Sequence, residues 1–294
     1  MLRSRLLKRL FFVGILFLSL PVLAAQVDTL AVPSAVMKKQ LKAVVIVPQS
    51  YAKSKASYPV LYLLHGGYGH FDDWIRKLPD KTLLQRLADQ YNLIIAMPEG
   101  EIFSYYVYSP VVKDSQFETY LTKEVIGQID KTYRTVRSAK GRVITGLSMG
   151  GYGSLYLATR HPDLYCAAGS MSGALNLDMS SWKLPPESAK GIKGEFEKIL
   201  GPIEQSPDRY GSYSVINLAD KMKANGQPLV FDCGVDDFLI EPNRELHRRL
   251  VFNQTPHDYT ERPGGHSWEY WQTSLPNHVL FFANVLKTNG TTAQ

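Results

Sequence analysis

Ser148 lies in Gly146-Leu147-Ser148-Met149-Gly150, a G-x-S-x-G pentapeptide. Three fixed positions filled by such common residues arise by chance in roughly one chain in ten of this length, so the surroundings must decide. The apolar run Val143-Ile144-Thr145 precedes the pentapeptide, and Gly151 to Ala158 follow with helical spacing. Strand, sharp turn and helix form the setting in which a serine is raised as a nucleophile. Small residues at Gly146 and Gly150 relieve crowding at such a strained turn while Oγ points outward.

A serine hydroxyl needs a base to take its proton, and the base needs an acid to orient it. Where the nucleophile sits on a strand-to-helix turn, the chain order is Ser, then Asp or Glu, then His. Of the seven histidines, His247, His257, His266 and His278 follow the candidate acids. His247 falls in an Arg- and Glu-rich helical stretch, His257 precedes the last strand and His278 falls mid-helix. His266, in Pro263-Gly264-Gly265-His266-Ser267-Trp268, occupies a Gly-rich loop at a strand end and can reach a serine. Asp236 and Asp237 are adjacent, so both cannot face one imidazole. The acid commonly lies three residues after the strand-ending glycine, here Gly234, which selects Asp237 and leaves Asp236 to cap or orient the loop.

Acyl transfer also needs two N–H donors for the developing oxyanion. Met149, after the nucleophile, supplies one. The other comes from Leu64-His65-Gly66-Gly67-Tyr68-Gly69, where glycine lets the backbone approach a substrate oxygen; Gly67 is the expected donor, with Tyr68 as the alternative, and His65 fixes the loop. Tyr68, Tyr105, Tyr106 and Trp268 are the aromatic candidates for the substrate pocket. The run Tyr105-Tyr106-Val107-Tyr108 reads equally well as a buried strand edge. No H-E-x-x-H, P-loop or early G-x-G-x-x-G occurs, and neither a metal nor another cofactor is expected.

The elements that must hold these residues follow from hydrophobic pattern. Strands are expected at 41–47, 60–64, 93–97, 142–146, 165–171, 228–233 and 259–262. Most of these runs are continuously apolar, as parallel strands covered on both faces are. Helical spacing occupies 81–90, 116–133, 151–160, 243–252 and 268–286. Alternating strand and helix implies a mostly parallel α/β sheet, with an antiparallel start because no helix separates the segments near 27–47. Residues 174–213, rich in Gly and Pro, read as a long irregular excursion that shapes the pocket without forming a second domain.

The first segment has a different character. Arg3, Arg5, Lys8 and Arg9 lead into the run Leu10–Leu20, then Pro21 and Val22-Leu23-Ala24-Ala25. A basic head, a short apolar middle and small residues describe a secretory signal peptide, cleaved near Ala24 or Ala25. The run is short of the roughly 20 residues a membrane span needs, so no stable span is expected after cleavage. The formal charge of +6 falls to +2 when those four cations go, and the remaining Lys and Arg are scattered. Nucleic acid is therefore not an expected partner. The expectation is a secreted or periplasmic protein with a signal at 1–25 and one catalytic domain at 26–294. Two cysteines exclude a disulfide framework, and Cys166 and Cys233, near opposite strand ends, are expected as buried free thiols.

The stretches Leu61–Trp74, Tyr105–Pro110, Glu124–Thr135, Gly146–Gly173, Cys233–Leu239 and Gly265–Trp271 carry a resemblance across residues 40–286. The sequence resembles the esterase D family of α/β-hydrolases, which includes tributyrin esterases, feruloyl esterases, S-formylglutathione hydrolases and mycolyltransferases. The resemblance implies an α/β-hydrolase fold with little or no lid, cofactor-free cleavage of esters or thioesters, and an acid at Asp237. Tributyrin-esterase-like and carbohydrate-linked members look most similar. The expected activity is an exported serine carboxylesterase acting on short acyl, acetyl or feruloyl esters, free or linked to polysaccharide. An acyltransferase and an inactive carbohydrate-binding or envelope protein are the alternatives.

Overall fold

Val60-Leu61-Tyr62-Leu63-Leu64 is buried at every position, because layers of helix cover both faces of its strand. The computed structural model describes residues 25–292; the signal expected at 1–25, on which the export expectation rests, lies outside them but for Ala25. The chain opens with β1 (Gln26–Ser34), β2 (Lys39–Val47) and β3 (Val60–Leu64). A short turn of helix, α1 (Asp73–Arg76), and α2 (Leu83–Tyr91) lead to β4 (Ile94–Pro98). Then α3 (Phe117–Thr119) passes through a π-type turn into α4 (Ile126–Thr132), and β5 (Arg142–Gly146), α5 (Met149–Arg160) and β6 (Ala167–Met171) follow. The excursion carries α6 (Pro186–Leu200) and α7 (Pro207–Tyr213). The last part is α8 (Ala219–Asn225), β7 (Leu229–Gly234), α9 (Ile240–Phe252), β8 (Asp258–Arg262) and α10 (Trp268–Thr288).

Eight strands form one sheet in the order β1-β2-β4-β3-β5-β6-β7-β8. The pairs β1–β2 and β2–β4 are antiparallel and every later pair is parallel, as the pattern near 27–47 implied. Side chains alternate across the strands and divide the core in two. Tyr62, Leu64, Ile144 and Ala168 pack with Leu155 of α5 and Leu246 of α9. Leu61, Leu63, Val143 and Ala167 pack with Leu84 and Leu87 of α2 and with Leu275, Val279 and Phe282 of α10. This is the expected α/β-hydrolase architecture.

The excursion differs from its sequence reading. It is largely helical, and α6 sinks Phe196, Ile199 and Leu200 into the main core. Phe196 meets the rings of Phe103, Tyr105, Trp182 and Tyr210, so the excursion borrows the domain's core and needs none of its own. Both cysteines are free; Cys233 is buried on β7, but Cys166, just before β6, is only half-buried, which corrects the expectation for that thiol. Among the described residues no helix is long and apolar enough to cross a membrane.

Candidate active site

The parallel strands β3, β5, β7 and β8 end on one edge of the sheet, and the loops leaving them carry Gly67, Ser148, Asp237 and His266. Ser148 has φ 55° and ψ −116°, a left-handed conformation that costs a non-glycine residue about 1–3 kcal/mol. Its amide donates to the Met171 carbonyl at 2.9 Å, which pins the turn to β6. A Cβ on Gly150 would stand 2.5 Å from the Leu64 carbonyl oxygen, and one on Gly146 2.7 Å from it. The elbow therefore requires both glycines, because β3 passes too closely for any side chain.

His266 Nδ1 lies 2.8 Å from Asp237 Oδ2 and 3.0 Å from Oδ1, and its Nε2 lies 3.0 Å from Ser148 Oγ. A carboxylate can only accept, so Nδ1–H donates to Asp237 and Nε2 is left to accept the Ser148 hydroxyl proton. Asp237 is 2% exposed and also accepts from the Leu239 amide at 2.9 Å, which fixes its carboxylate. Asp236 next to it is exposed. Its amide donates to the Gly264 carbonyl at 3.0 Å, so its backbone joins the two loops while its side chain faces solvent. Ser148 and His266 stay partly exposed, so a substrate reaches both.

Among the described residues, neither the Gly67 nor the Met149 N–H donates to a backbone carbonyl. Met149 begins α5, where helix geometry leaves the first amides free and the macrodipole favours negative charge. The Tyr68 N–H is already spent on the Ile102 carbonyl at 2.6 Å, which decides between the two loop candidates in favour of Gly67. His65 Nδ1 lies 2.8 Å from the Gly66 carbonyl and donates to it. In a trans peptide the carbonyl and amide point oppositely, so this bond turns the Gly67 N–H the other way. The Gly100 amide donates to His65 Nε2 at 2.8 Å and fixes that ring in turn.

The aromatic candidates divide. Trp268 shares a cavity of about 110 Å³ with Gly66, Gly67, Ser148, His266 and Trp271. Tyr68 is 59% exposed beside the loop and available to a substrate. Tyr105 and Tyr106 are corrected: both are buried, on a turn and not on a strand edge. Tyr106 Oη donates to the His65 carbonyl at 2.9 Å, and the Tyr105 ring packs against Phe196 and Tyr152, so both support the site from beneath. Burial pushes the phenol pKa of each well up, and neither ionises near neutrality.

Sequence reasoning missed Phe238, whose ring centroid lies 4.5 Å from that of His266, and the Asp73–Lys77 ion pair at 2.7 Å on the cavity wall. Trp271, edge-on to His266 at 4.9 Å, sits three residues after Trp268 on the same helix; that spacing is a signal that could have found it. A larger cavity of about 370 Å³ beside α6 includes none of the three hydrogen-bonded residues.

Residues 34–282 match the family described as "Putative esterase". The chain belongs to this family. An acetyl esterase of Caldicellulosiruptor saccharolyticus is 27% identical over 265 residues, which cover 86% of this chain and 96% of that one. The diacylglycerol acyltransferase/mycolyltransferase Ag85A of Mycobacterium tuberculosis is 27% identical over 278 residues, covering 85% of this chain and 78% of that one. A solved ferulic acid esterase superposes with a TM-score of 0.73 at 28% identity, covering 89% of this chain and 99% of its own. The esterase acts on carboxylic ester bonds.

Proposed function

We propose that the esterase is an exported serine carboxylesterase that cleaves short acyl, acetyl or feruloyl esters through a covalent acyl-enzyme. Ser148 Oγ attacks the acyl carbonyl carbon as His266 Nε2 takes its proton, and Asp237 stabilises the imidazolium. The oxyanion forms against the Gly67 and Met149 N–H groups, each contributing about 3 kcal/mol. His266 returns the proton to the departing alcohol oxygen; it then draws a proton from water, whose oxygen attacks the acyl carbon, and passes that proton to Ser148 Oγ as the acyl–Oγ bond breaks. The observation that carries this reading is the continuous Ser148–His266–Asp237 hydrogen-bond series, with 3.0 and 2.8 Å steps. The basic and apolar leader supports export to the periplasm or beyond, where acylated small molecules or polysaccharides are the substrates.

Ser148→Ala tests the mechanism. Wild type should show a burst of p-nitrophenol from p-nitrophenyl acetate and label with a fluorophosphonate. The variant should lose both, with kcat down by about 10⁴-fold or more. Full activity in the variant would refute the role of Ser148. The relationship to an acyltransferase supports a second reading, in which an acceptor hydroxyl replaces water. Product analysis with added sugar or alcohol separates the two: acylated acceptor means transfer, free acid means hydrolysis. Failure of wild type to label at all would favour an inactive carbohydrate-binding protein.

A further inference from the structure

One carboxylate in the interior has no part in the chemistry above. Asp232 is the lone charged residue of β7, 2% exposed among Leu229, Val230, Phe231 and Cys233. Burying a charge is costly, and an apolar residue of similar size often serves stability equally well. Its partners show what the charge holds. Asp232 Oδ2 accepts from Arg262 Nη2 at 2.7 Å, from His278 Nε2 at 3.2 Å and from Ser274 Oγ. Burial works against this carboxylate, but the bonds from His278 and Ser274 and the Arg262 cation outweigh it and hold its pKa below the ordinary value.

These partners are distributed around the catalytic loops. Arg262 ends β8, four residues before His266. Ser274 and His278 lie on α10, which begins two residues after His266. The His266 loop is thus held at its entry and at the helix that receives it, by the same carboxylate. His278, fully buried, spends Nε2–H on Asp232, and its Nδ1 lies 3.0 Å from Thr145 Oγ1. Thr145 is on β5, three residues before Ser148. A Cβ on Gly169 would stand 2.6 Å from His278 Nδ1, so β6 leaves the imidazole just enough room. Asp232 itself lies five residues before Asp237, on the strand that delivers it.

We infer that Asp232 is a positioning residue that registers the loops of Ser148, Asp237 and His266 against one another. It touches no reacting atom and acts through His266, so the inference rests on the triad reading above. Displacement of an imidazole by about 1 Å is enough to cost about 10²-fold in rate, whereas Tyr68, on the loop after β3 and outside this cluster, keeps its place.

The test uses the full-length enzyme, p-nitrophenyl acetate kinetics and fluorophosphonate labelling, all well below each variant's measured Tm. Asp232→Asn keeps the shape and removes the charge. It should lower kcat by about tenfold or more, leave KM within about twofold, and slow labelling by the same factor. His278→Gln, which keeps a donor toward Asp232, should retain more kcat than His278→Leu. If Asp232→Asn does not fold, Arg262→Met decides by the same criteria, since Arg262 is at the partly exposed strand end. A lowered Tm with kcat and labelling unchanged would make Asp232 merely structural and overturn the inference. Wild type that fails to label would overturn the triad reading, and this inference with it.

Discussion

Asp236 and Asp237 are chemically identical neighbours, and their difference is one of surroundings. Asp237 is buried, accepts the Leu239 amide and faces His266; Asp236 is exposed. Asp237→Asn should therefore lower kcat by about 10⁴-fold, because an amide no longer stabilises the imidazolium or fixes its tautomer. Asp236→Asn should leave kcat within about twofold; steady-state kinetics of both variants checks the assignment. Tyr105 and Tyr106 teach the reverse lesson. Paired tyrosines beside a Gly-rich loop look like a ligand-facing pair, yet their phenol rings fill space under that loop.

At the scale of elements, the site is assembled by close approach. A Cβ on Gly234 would stand 2.2 Å from the Gly264 carbonyl oxygen, so the end of β7 and the His266 loop touch backbone to backbone. Gly234→Ala should force the loop away, lowering kcat/KM by about 10²-fold with a fall in Tm, read by kinetics and thermal unfolding. The helix that follows Ser148, α5, is tied at its other end. Glu118 of α3 accepts from Arg160 Nε at 2.9 Å and lies 2.7 Å from His161 Nε2, at the close of α5. Burial opposes the Glu118 charge, but the hydrogen bonds from His161 and Arg160 prevail and depress its pKa. A depressed folded pKa contributes stability above the unfolded value of about 4.3 and loses it as pH falls through the folded value. Glu118→Gln should thus cost about 1–2 kcal/mol at pH 7 and flatten the acid side of the stability profile below about pH 4.3; urea unfolding against pH measures both.

For the whole molecule, the two-sided core explains why the fold was legible. A parallel sheet covered on both faces turns each strand into an apolar run, and the run at 60–64 coincides with β3 while that at 142–146 coincides with β5. The excursion was not legible, because its helices gain stability by packing Phe196 on Phe103 and Tyr105 of a distant turn rather than from their own Gly- and Pro-containing sequence. The two thiols carry a prediction at this scale. Burial pushes Cys166 up to about 11 and Cys233 higher still, so both stay protonated at neutral pH. Ellman's reagent should titrate neither in the native protein at pH 7 and both after denaturation, since the thiolate is the reactive form.

The sequence by itself determined the strand–turn–helix at Ser148, the chain order of serine, acid and histidine, and the exclusion of a Cys-based scaffold. Each depends on local spacing, and local spacing survives in one dimension. The tertiary structure alone decided that Gly67 and not Tyr68 keeps an N–H free of backbone carbonyls among the described residues, since the Ile102 carbonyl that occupies the Tyr68 amide is 34 residues away by number. It alone put Phe238 beside His266 and made Tyr105 and Tyr106 interior. It also gathered Thr145, Asp232, Arg262, Ser274 and His278 into one hydrogen-bonded cluster. Those facts depend on which strands and loops become neighbours, and hydrogen bonds between distant segments leave no periodic trace in the chain.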